Sequence, residues 1–380
     1  MSTTPPPPVT QVEDDEVVGA DAPRPARLDP SKLGISVGLL VFTAALALFA
    51  FDWMRGNEDQ RGMVVVVALL LGTVGVFALF ILLDRFADAL PQDWQERVRP
   101  WMYVGPALIL LSIFLLYPAI RTIMLGFQGP RGDSWVGSAN FMNIWTDPEL
   151  RRSVYNTLAW MIVVPALAVG IGLVFAVLAD RLRRGEALAK SLIFLPMAIS
   201  FVGASVVWAF IYDFQAFGSQ TGLLNGIMVA LGQDPVSWFA IQPWNNFFLM
   251  VIMVWMQTGF AMVILSAAIK GVPEDIIEAA RIDGATELQV FWRITVPSIM
   301  SAIVVVTTTM IINVLKIFDI VWVTTGGRDG TPVIAERMIR WSFSFRDQGQ
   351  GAAIATMLFI LVIPVMVWNV KRFRAEEEIR

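Results

Sequence analysis

A polar segment between two long apolar stretches carries the residues best suited to binding a partner. It reads Glu278-Ala279-Ala280-Arg281-Ile282-Asp283-Gly284 and continues to Ile294-Thr295-Val296-Pro297. The carboxylates of Glu278 and Asp283 can accept hydrogen bonds or pair with arginine on a partner, and the two small alanines permit close approach of another backbone. These residue types indicate a binding surface. On the residues alone, an ordinary capped connector between two helices explains the segment equally well.

Signals that start and end helices predict the shape of this segment. Pro273 suits a first helical position, and the acidic pair Glu274-Asp275 suits the positive end of a helix dipole. Gly284 is placed to end that helix, and Thr286-Glu287-Leu288-Gln289 has the pattern of a capping box that starts another. The sequence predicts a short helix, a tight glycine turn and a second helix.

A second group of polar residues lies inside an apolar stretch. Asn313, Lys316 and Asp319 follow one another at three-residue intervals, which predicts a common helix face. A lysine at the centre of a membrane-spanning helix costs about 2.5–3.5 kcal/mol on insertion scales, so Lys316 is expected to face a cavity or a partner. Two interpretations stay open. One is structural, with a Lys316–Asp319 pair or hydrogen bonds to neighbouring spans, and the other is a polar wall of a transport pathway that binds the hydroxyl groups of the solute.

Composition defines the class of protein that positions these residues. Of the 380 residues, 56% are hydrophobic and 16% are charged, whereas a soluble domain has about 25% charged residues. Several apolar stretches approach or exceed the roughly 20 residues that span a bilayer. The sequence therefore predicts an all-α polytopic membrane protein with about eight transmembrane helices.

Residue types and motifs that do not occur exclude several kinds of chemistry. The chain has no Cys and no His, which excludes disulfides, thiol nucleophiles, Cys/His zinc sites and histidine general bases. No Gly-Lys pair occurs, so the chain has no P-loop and cannot hydrolyse ATP by that route. We expect no catalytic residue, no metal site, no cofactor in this chain and no nucleic-acid partner.

Hydropathy and composition divide the chain into segments. Residues 1–32 are acidic and rich in proline, which predicts a disordered tail. Residues 33–100 are expected to form a transmembrane hairpin and an amphipathic surface helix over Asp84–Pro100, residues 101–374 a membrane domain, and residues 375–380 a tail. The predicted spans are Leu33–Phe51, Met63–Leu83, Trp101–Leu125, Tyr155–Ala179, Ser191–Phe214, Asn245–Ile269, Ser298–Val323 and Gly351–Val370.

The positions of lysine and arginine predict the orientation in the membrane. If both termini are cytoplasmic, the cytoplasmic segments hold more than half of these residues. The short loop at Arg181–Lys190 and the tail Lys371-Arg372-Phe373-Arg374 contribute most. The positive-inside rule favours this orientation, which places Glu278–Pro297 in the cytoplasm.

The polar segment resembles the EAA loop of ABC importer permeases. The matching residues are Glu278-Ala279-Ala280, Gly284 and Ile294-Thr295-Val296-Pro297, with Val296 in place of the usual leucine. The string from Glu278 to Glu287, and Thr324-Thr325-Gly326-Gly327 further on, are similar to the carbohydrate-uptake branch of that family.

This resemblance covers about residues 101–374. The extra hairpin before it is similar to the larger, eight-span permease of maltose-type importers, and residues 329–374 are most similar to permeases for α-glucosides. The resemblance implies a six-helix permease core that takes up a sugar, with a disaccharide or an α-glucoside expected. It also implies a multi-pass protein of a bacterial cell membrane.

The resemblance assigns the polar segment a role in coupling. In that family the loop forms a helix seated in a cleft of an ATPase subunit, whose closing moves the permease helices. This chain is then expected to have a cytoplasmic coupling loop at residues 270–297. The implied coupling residues are Glu278, Ala279, Ala280, Asp283 and Gly284.

The resemblance also implies a set of residues that contact the sugar. Positions matching sugar contacts of the maltose-type permease are Met256, Gln257, Phe260, Thr309, Ile312, Asn313 and Lys316. Three of them depart from that permease, which has Asn where this chain has Lys316, Gly at Gln257 and Tyr at Phe260. Similar site geometry with a different selectivity is expected. Packing against lipid or other helices explains Met256 and Phe260 equally well.

The implied partners are a second permease subunit, a dimer of ATPase subunits that would hold ATP and Mg, and an extracytoplasmic solute-binding protein. That protein would meet segments around Phe141–Arg151, Gly218–Trp244 and Gly326–Gln350. One alternative is an autonomous secondary transporter, which should show paired inverted repeats with broken helices; the sequence shows no such symmetry. Another is a membrane-embedded enzyme, for which the acidic residues within the spans are too sparse.

Overall fold

The computed structural model describes residues 30–182 and 184–377, without the side chains of Gln92 and of residues 372–377. Helices dominate this part of the chain, and one isolated β-bridge joins Gln128 to Trp135. The prediction of an all-α protein is confirmed. Most of the predicted tail at residues 1–32 lies outside the described residues, and its last three residues, from Pro30 on, belong to the first helix.

Six of the described helices are long and apolar enough to cross a membrane, and two bent helix pairs bring the number of candidate spans to eight. This agrees with the predicted number. In chain order the helices are α1 (Pro30–Gly56), α2 (Arg61–Asp88), α3 (Asp93–Leu125), α4 (Ala139–Thr146), α5 (Pro148–Asp180), α6 (Glu186–Ala198), α7 (Phe201–Ile211), α8 (Leu223–Ala230), α9 (Trp244–Lys270), α10 (Glu274–Ile282), α11 (Glu287–Ser298), α12 (Met300–Leu315), α13 (Asp319–Thr324), α14 (Ile334–Ile339) and α15 (Gln348–Glu377).

The described residues form two compact units, one up to Pro118 and the other from Ala119 on. In the first unit, α1 packs against α2, and α2 packs against the start of α3. Almost none of the apolar residues of α1 and α2 are buried within the protein. The hydrocarbon chains of lipids are as apolar as these side chains, so lipid can cover the side chains without a cost in free energy.

The amphipathic surface helix expected over Asp84–Pro100 does not form as a separate element. Its first residues end α2, a short turn reaches Pro91, and the remainder runs straight into α3. Arg99 explains this arrangement, because its guanidinium lies 3.0 Å from a carboxylate oxygen of Asp84 and 2.9 Å from one of Asp88. These ion pairs fasten the start of α3 to the end of α2.

In the second unit, α9 is the central helix. About two thirds of its apolar window is buried, compared with 39% for α5, its main neighbour. Gly172 of α5 allows the two helices to approach closely, since a Cβ at this position would lie 2.5 Å from the Cβ of Ala261. Small residues at such crossings let membrane helices gain packing energy.

The fifth predicted span, Ser191–Phe214, is broken in the structure. The axes of α6 and α7 differ by 100°. Pro196 lies in a tight 3-10 turn at the end of α6, and the Ser200 hydroxyl caps α7 by accepting a hydrogen bond from the Gly203 N–H at 3.0 Å. The proline and the capping serine together end one helix and start another.

The seventh predicted span, Ser298–Val323, is also interrupted. A 67° bend separates α11 from α12, and α12 ends at Leu315, before α13 begins at Asp319. The Lys316 N–H donates to the Asn313 carbonyl at 3.2 Å, the three-residue spacing that tightens a helix end. The predicted common face for Asn313, Lys316 and Asp319 is therefore wrong, because no single helix contains all three.

A buried carboxylate fixes the loop that follows α13. Glu336 in α14 is fully buried, and its carboxylate lies 2.6 Å from Arg340 Nε and 3.2 Å from Arg337 Nε. The two arginines also donate hydrogen bonds to the carbonyls of Gly326 and Gly327. Burial raises the pKa of Glu336, and the two arginines oppose that shift.

Candidate functional site

Backbone hydrogen bonds end α10 as the sequence predicts. Gly284 adopts a left-handed conformation with φ of 83°. Its N–H donates to the Arg281 carbonyl, and the Ala285 N–H donates to the Ala280 carbonyl, both at 3.0 Å. This is a Schellman motif, in which glycine is favoured because a side chain disfavours positive φ.

The predicted capping box starts α11. The Gln289 N–H donates to the Thr286 hydroxyl, and the Thr286 N–H donates to the Gln289 side chain. Arg281 of α10 pairs with Glu287 of α11, with 2.8 Å between Nε and Oε1. The hydrogen bond to Glu287 raises the pKa of Arg281, so its charge persists. We call residues 274–290 the α10–α11 segment; its two helices are joined rigidly.

The predicted coupling residues lie together on this segment. Glu278, Ala279, Asp283 and Gly284 are exposed, and Ala280 is partly buried. Ile282 beside them is 86% exposed, an unusual state for a large aliphatic side chain. The segment thus presents acidic, small and apolar groups on a preformed helix, and it can dock on a complementary protein surface.

The α9 part of the predicted substrate site is packed inside the protein. Met256 and Gln257 are each 4% exposed, and Phe260 is partly buried against the core. The Gln257 side-chain oxygen has no hydrogen-bond partner. A buried polar atom without a hydrogen-bond partner is uncommon. This feature sets Gln257 apart from its apolar neighbours on α9.

The α12 part of the predicted site is more accessible. Thr309 and Asn313 are partly buried, Ile312 is 36% exposed, and Lys316 is exposed at the end of the helix. No hydrogen bond or ion pair within the described residues engages the Lys316 ammonium, so the pair with Asp319 does not form. Helices α9 and α12 pack against each other, which places the two groups of predicted residues on neighbouring helices.

An apolar cavity of about 380 Å³ lies on another side of α9. Val251, Val254, Trp255 and Thr258 line it, together with Ile171, Phe175, Leu192, Ile193, Pro196 and Trp208 from α5, α6 and α7. None of the predicted substrate residues is among them. The bend between α6 and α7 creates this space, so the straight span expected from the sequence could not reveal it.

One charged cluster that the sequence does not predict lies close to the α10–α11 segment. From sequence, Lys190 bears only on the orientation in the membrane, whereas in the structure it binds acidic groups from two helices. The i,i+4 spacing of Glu186 and Lys190 was a local signal for half of this cluster. No group of three or more acidic residues suited to a metal ion occurs in the part of the chain that the structure describes.

Solved transporters share the fold. A bacterial ABC transporter involved in the import of the acidic polysaccharide alginate superposes with a TM-score of 0.64 at 20% identity, covering 74% of this chain and 98% of that chain. At this identity the likeness concerns the fold alone. The fold and its candidate spans define a polytopic helical membrane protein with the architecture of that transporter.

The sequence specifies the family. Residues 150–372 match the family described as binding-protein-dependent transport system inner membrane component. Because this match covers more than half of the chain, the protein belongs to that family. It is therefore a multi-pass inner-membrane component of an importer that depends on a solute-binding protein, and the predicted class is confirmed.

Two characterised relatives are about half identical to this chain. The osmoprotective compounds uptake permease protein GgtC of Synechocystis sp. is 52% identical over 280 residues, which cover 73% of this chain and all of that protein. The alpha-glucoside transport system permease protein AglF of Rhizobium meliloti is 51% identical over 283 residues, which cover 74% of this chain and 84% of that protein.

Proposed function

We propose that this chain is the permease subunit of an ATP-driven importer for a small sugar or glycoside, and that the α10–α11 segment couples it to a separate ATPase. The observation that carries the proposal is the shape of this segment. A capped helix with an exposed face follows directly on α9, the most buried span. The chain has no P-loop of its own, so energy must enter through such a surface.

The preformed shape of the segment supports a mechanical role. The Schellman turn, the capping box and the Arg281–Glu287 pair all hold α10 against α11. A docked ATPase pair that closes on ATP would move α10 as a rigid body and displace α9 and α11 with it. ATP and Mg would be held by that partner, and a second permease subunit would complete the pathway.

The excess of lysine and arginine on one side supports the orientation. With both termini in the cytoplasm, the α10–α11 segment faces the ATPase subunits. The segments around Phe141–Arg151, Gly218–Trp244 and Gly326–Gln350 then face the solute-binding protein. The substrate would pass between these two surfaces by alternating access.

The two similar permeases support the substrate class. One is named for α-glucosides and the other for osmoprotective compounds, and a disaccharide or other α-glucoside fits both the accessible side chains of α12 and these names. The Lys316 ammonium and the Asn313 amide can hydrogen-bond to sugar hydroxyls. Met256, Gln257, Phe260, Thr309 and Ile312 would complete the site after α9 and α12 move apart.

A reconstituted importer tests the proposal. The complete complex in lipid vesicles is supplied with its solute-binding protein and with sucrose, trehalose, maltose or a glucosyl-glycerol. At least one of these α-glucosides is expected to stimulate ATP hydrolysis and to enter the vesicles. If none of these sugars stimulates ATP hydrolysis, the proposed substrate class is contradicted.

A paired variant tests the coupling role in the same vesicles. Glu278→Trp combined with Gly284→Val places bulk on the docking face and strains the turn, where φ is 83°. Both recruitment of the ATPase and sugar-stimulated hydrolysis are expected to be lost, because the two surfaces no longer fit. If both survive, the assignment of the α10–α11 segment is wrong.

A further inference from the structure

Five side chains join three helix ends beside the α10–α11 segment. Asp180 ends α5, Glu186 and Lys190 lie in the first turns of α6, and Ser266 and Lys270 lie in the last turn of α9. We call this group the Lys190 cluster. Only a short connector separates Lys270 from the start of α10 at Glu274.

Lys190 is the hub of this cluster. Its ammonium donates to Asp180 Oδ1 and to Glu186 Oε1, both at 2.6 Å, and to the Ser266 hydroxyl. An ammonium has three hydrogens, so its donor capacity is fully used. Asp180 lies on α5, Glu186 on α6 and Ser266 on α9, so this side chain bonds all three helices together.

Three further contacts attach α9 to the cluster. The Ser266 hydroxyl donates to Asp180 Oδ1 at 2.7 Å, and the Lys270 ammonium bonds Glu186 while lying 3.7 Å from Asp180. The cluster contains two cations and two carboxylates, so its formal charges balance. Every link between α9 and the other two helices in this cluster thus runs through Ser266 or Lys270.

Burial separates strong contacts from weak ones. The side chains of Lys190 and Asp180 are 18% and 14% exposed, whereas that of Lys270 is 52% exposed. Partly buried charge pairs are screened less than exposed ones, and removing one partner leaves the other charge uncompensated. Loss of Lys190 therefore affects the helix ends more than loss of Lys270.

Close backbone contacts connect the same helices nearer the membrane centre. Gly259 of α9 lies against α6, where a Cβ would be 2.5 Å from the Ile193 carbonyl oxygen, and Gly172 of α5 lies against α9. The Lys190 cluster holds α9 to α5 and α6 at the end of α9, and the glycine contacts hold the same helices together further along it. A displacement of α9 at this end must then be shared by the other two helices.

From this geometry we infer that Lys190 is a positioning residue for energy coupling. It makes α5, α6 and α9 move as one body when the α10–α11 segment is displaced. This inference rests on the proposed function of that segment. Without the cluster, α9 would move without α5 and α6. ATP hydrolysis would then continue without opening the substrate pathway.

The sharpest test separates α9 from the cluster while leaving the rest of it intact. The double variant Ser266→Ala with Lys270→Met removes both links of α9 but keeps Lys190 between Asp180 and Glu186. Reconstituted in the complete importer, it is expected to lower the number of sugar molecules transported per ATP hydrolysed, because hydrolysis continues while α9 moves alone. Recruitment of the ATPase should stay unchanged.

A second test variant and a control variant accompany the double variant. Lys190→Met should produce the same loss of coupling, and Arg99→Met is the control, because Arg99 also bridges two carboxylates but lies outside this cluster. Arg99→Met is expected to keep the wild-type ratio. All ratios are measured with the disaccharide that stimulates the wild-type importer most.

Two results would overturn the inference. One is a wild-type ratio in the double variant or in Lys190→Met. The other is a parallel fall of transport and hydrolysis together with a lower melting temperature, which describes a structural role only. Amide hydrogen exchange needs no solute and must show faster exchange in the last turn of α9 in the double variant. A wild-type importer without sugar-stimulated hydrolysis would contradict the proposed function instead, so the two failures are distinguishable.

Discussion

The ammonium group of Lys316 lies at the end of α12 without a partner among the described residues. A charge within a membrane domain needs water, an acid or a polar solute near it. The chain is interrupted directly after this residue, between Leu315 and Asp319, and the interruption removes the acid that could have neutralised it on the same helix face. The proposed role of Lys316 is to donate a hydrogen bond to a substrate hydroxyl.

Lys316→Met tests this availability. The methionine keeps the length of the side chain but loses the donor, and a lost hydrogen bond to a charged group costs about 1.5–3 kcal/mol. We expect the KM for uptake to rise roughly tenfold or more. Lys371→Met, at the exposed end of the last candidate span, is the matched control and should leave KM unchanged. Equal kinetics in both variants would exclude Lys316 from the site.

Helix α9 is held by close contacts on two sides. Gly259 meets the backbone of α6 at Ile193 and Phe194, and Gly172 of α5 meets α9 at Ala261. Neither contact leaves room for a methyl group. The position of α9 therefore depends on two glycines that carry no chemistry of their own.

Gly259→Ala should destabilise the protein. The new Cβ would lie 2.5 Å from a carbonyl oxygen and 2.6 Å from the Phe194 Cα, and overpacking of this kind costs about 1–3 kcal/mol. A lower melting temperature in detergent is expected. Gly170→Ala is the control, because Gly170 lies on α5 with nothing within 4 Å of the added atom. A drop of the same size in both variants would contradict the packing argument.

At the scale of the whole molecule, α9 lies between two segments that each expose a large apolar side chain. The segment before it includes a loop in which Phe217 is 94% exposed, and the α10–α11 segment after it carries Ile282 at 86% exposed. A helix of 27 residues is about 40 Å long, enough to cross the hydrocarbon core. If α9 crosses the membrane, as its length and composition predict, Phe217 and Ile282 lie on opposite sides of it.

The chain has no cysteine, so an introduced cysteine is its one reactive thiol, and its labelling is read on the purified protein. Phe217→Cys and Ile282→Cys are treated in intact cells with a thiol reagent that does not cross the membrane. Only the first is expected to react, and both should react after the membrane is permeabilised. Labelling of both in intact cells would contradict the orientation proposed above.

Local spacing explains what the sequence could predict. The capping box at Thr286 and the turn at Gly284 depend on residues a few positions apart, and both form as expected. The number of candidate spans also follows from hydropathy. In each case the determining interaction is with near neighbours or with solvent.

Interactions between distant residues explain what the sequence could not predict. Hydropathy does not record a change of direction, so the breaks at Pro196 and after Leu315 were read as continuous spans. The contacts of Lys190 with Asp180 and Ser266 join residues 10 and 76 positions away. Whether Gln257 faces a pathway or the core depends on how α9 is rotated, which periodicity alone leaves open.

The local construction of the α10–α11 segment has a consequence for engineering. The hydrogen bonds and the ion pair that shape it join residues of the segment itself, from the turn at Gly284 to the capping box at Thr286. Ile277, Ala280 and Ala285 are partly buried, and Val290 is the first fully buried residue of the segment. From the proposed coupling role we therefore predict that residues 274–289 can be exchanged between related permeases, which would match a permease to a foreign ATPase without redesign of its spans.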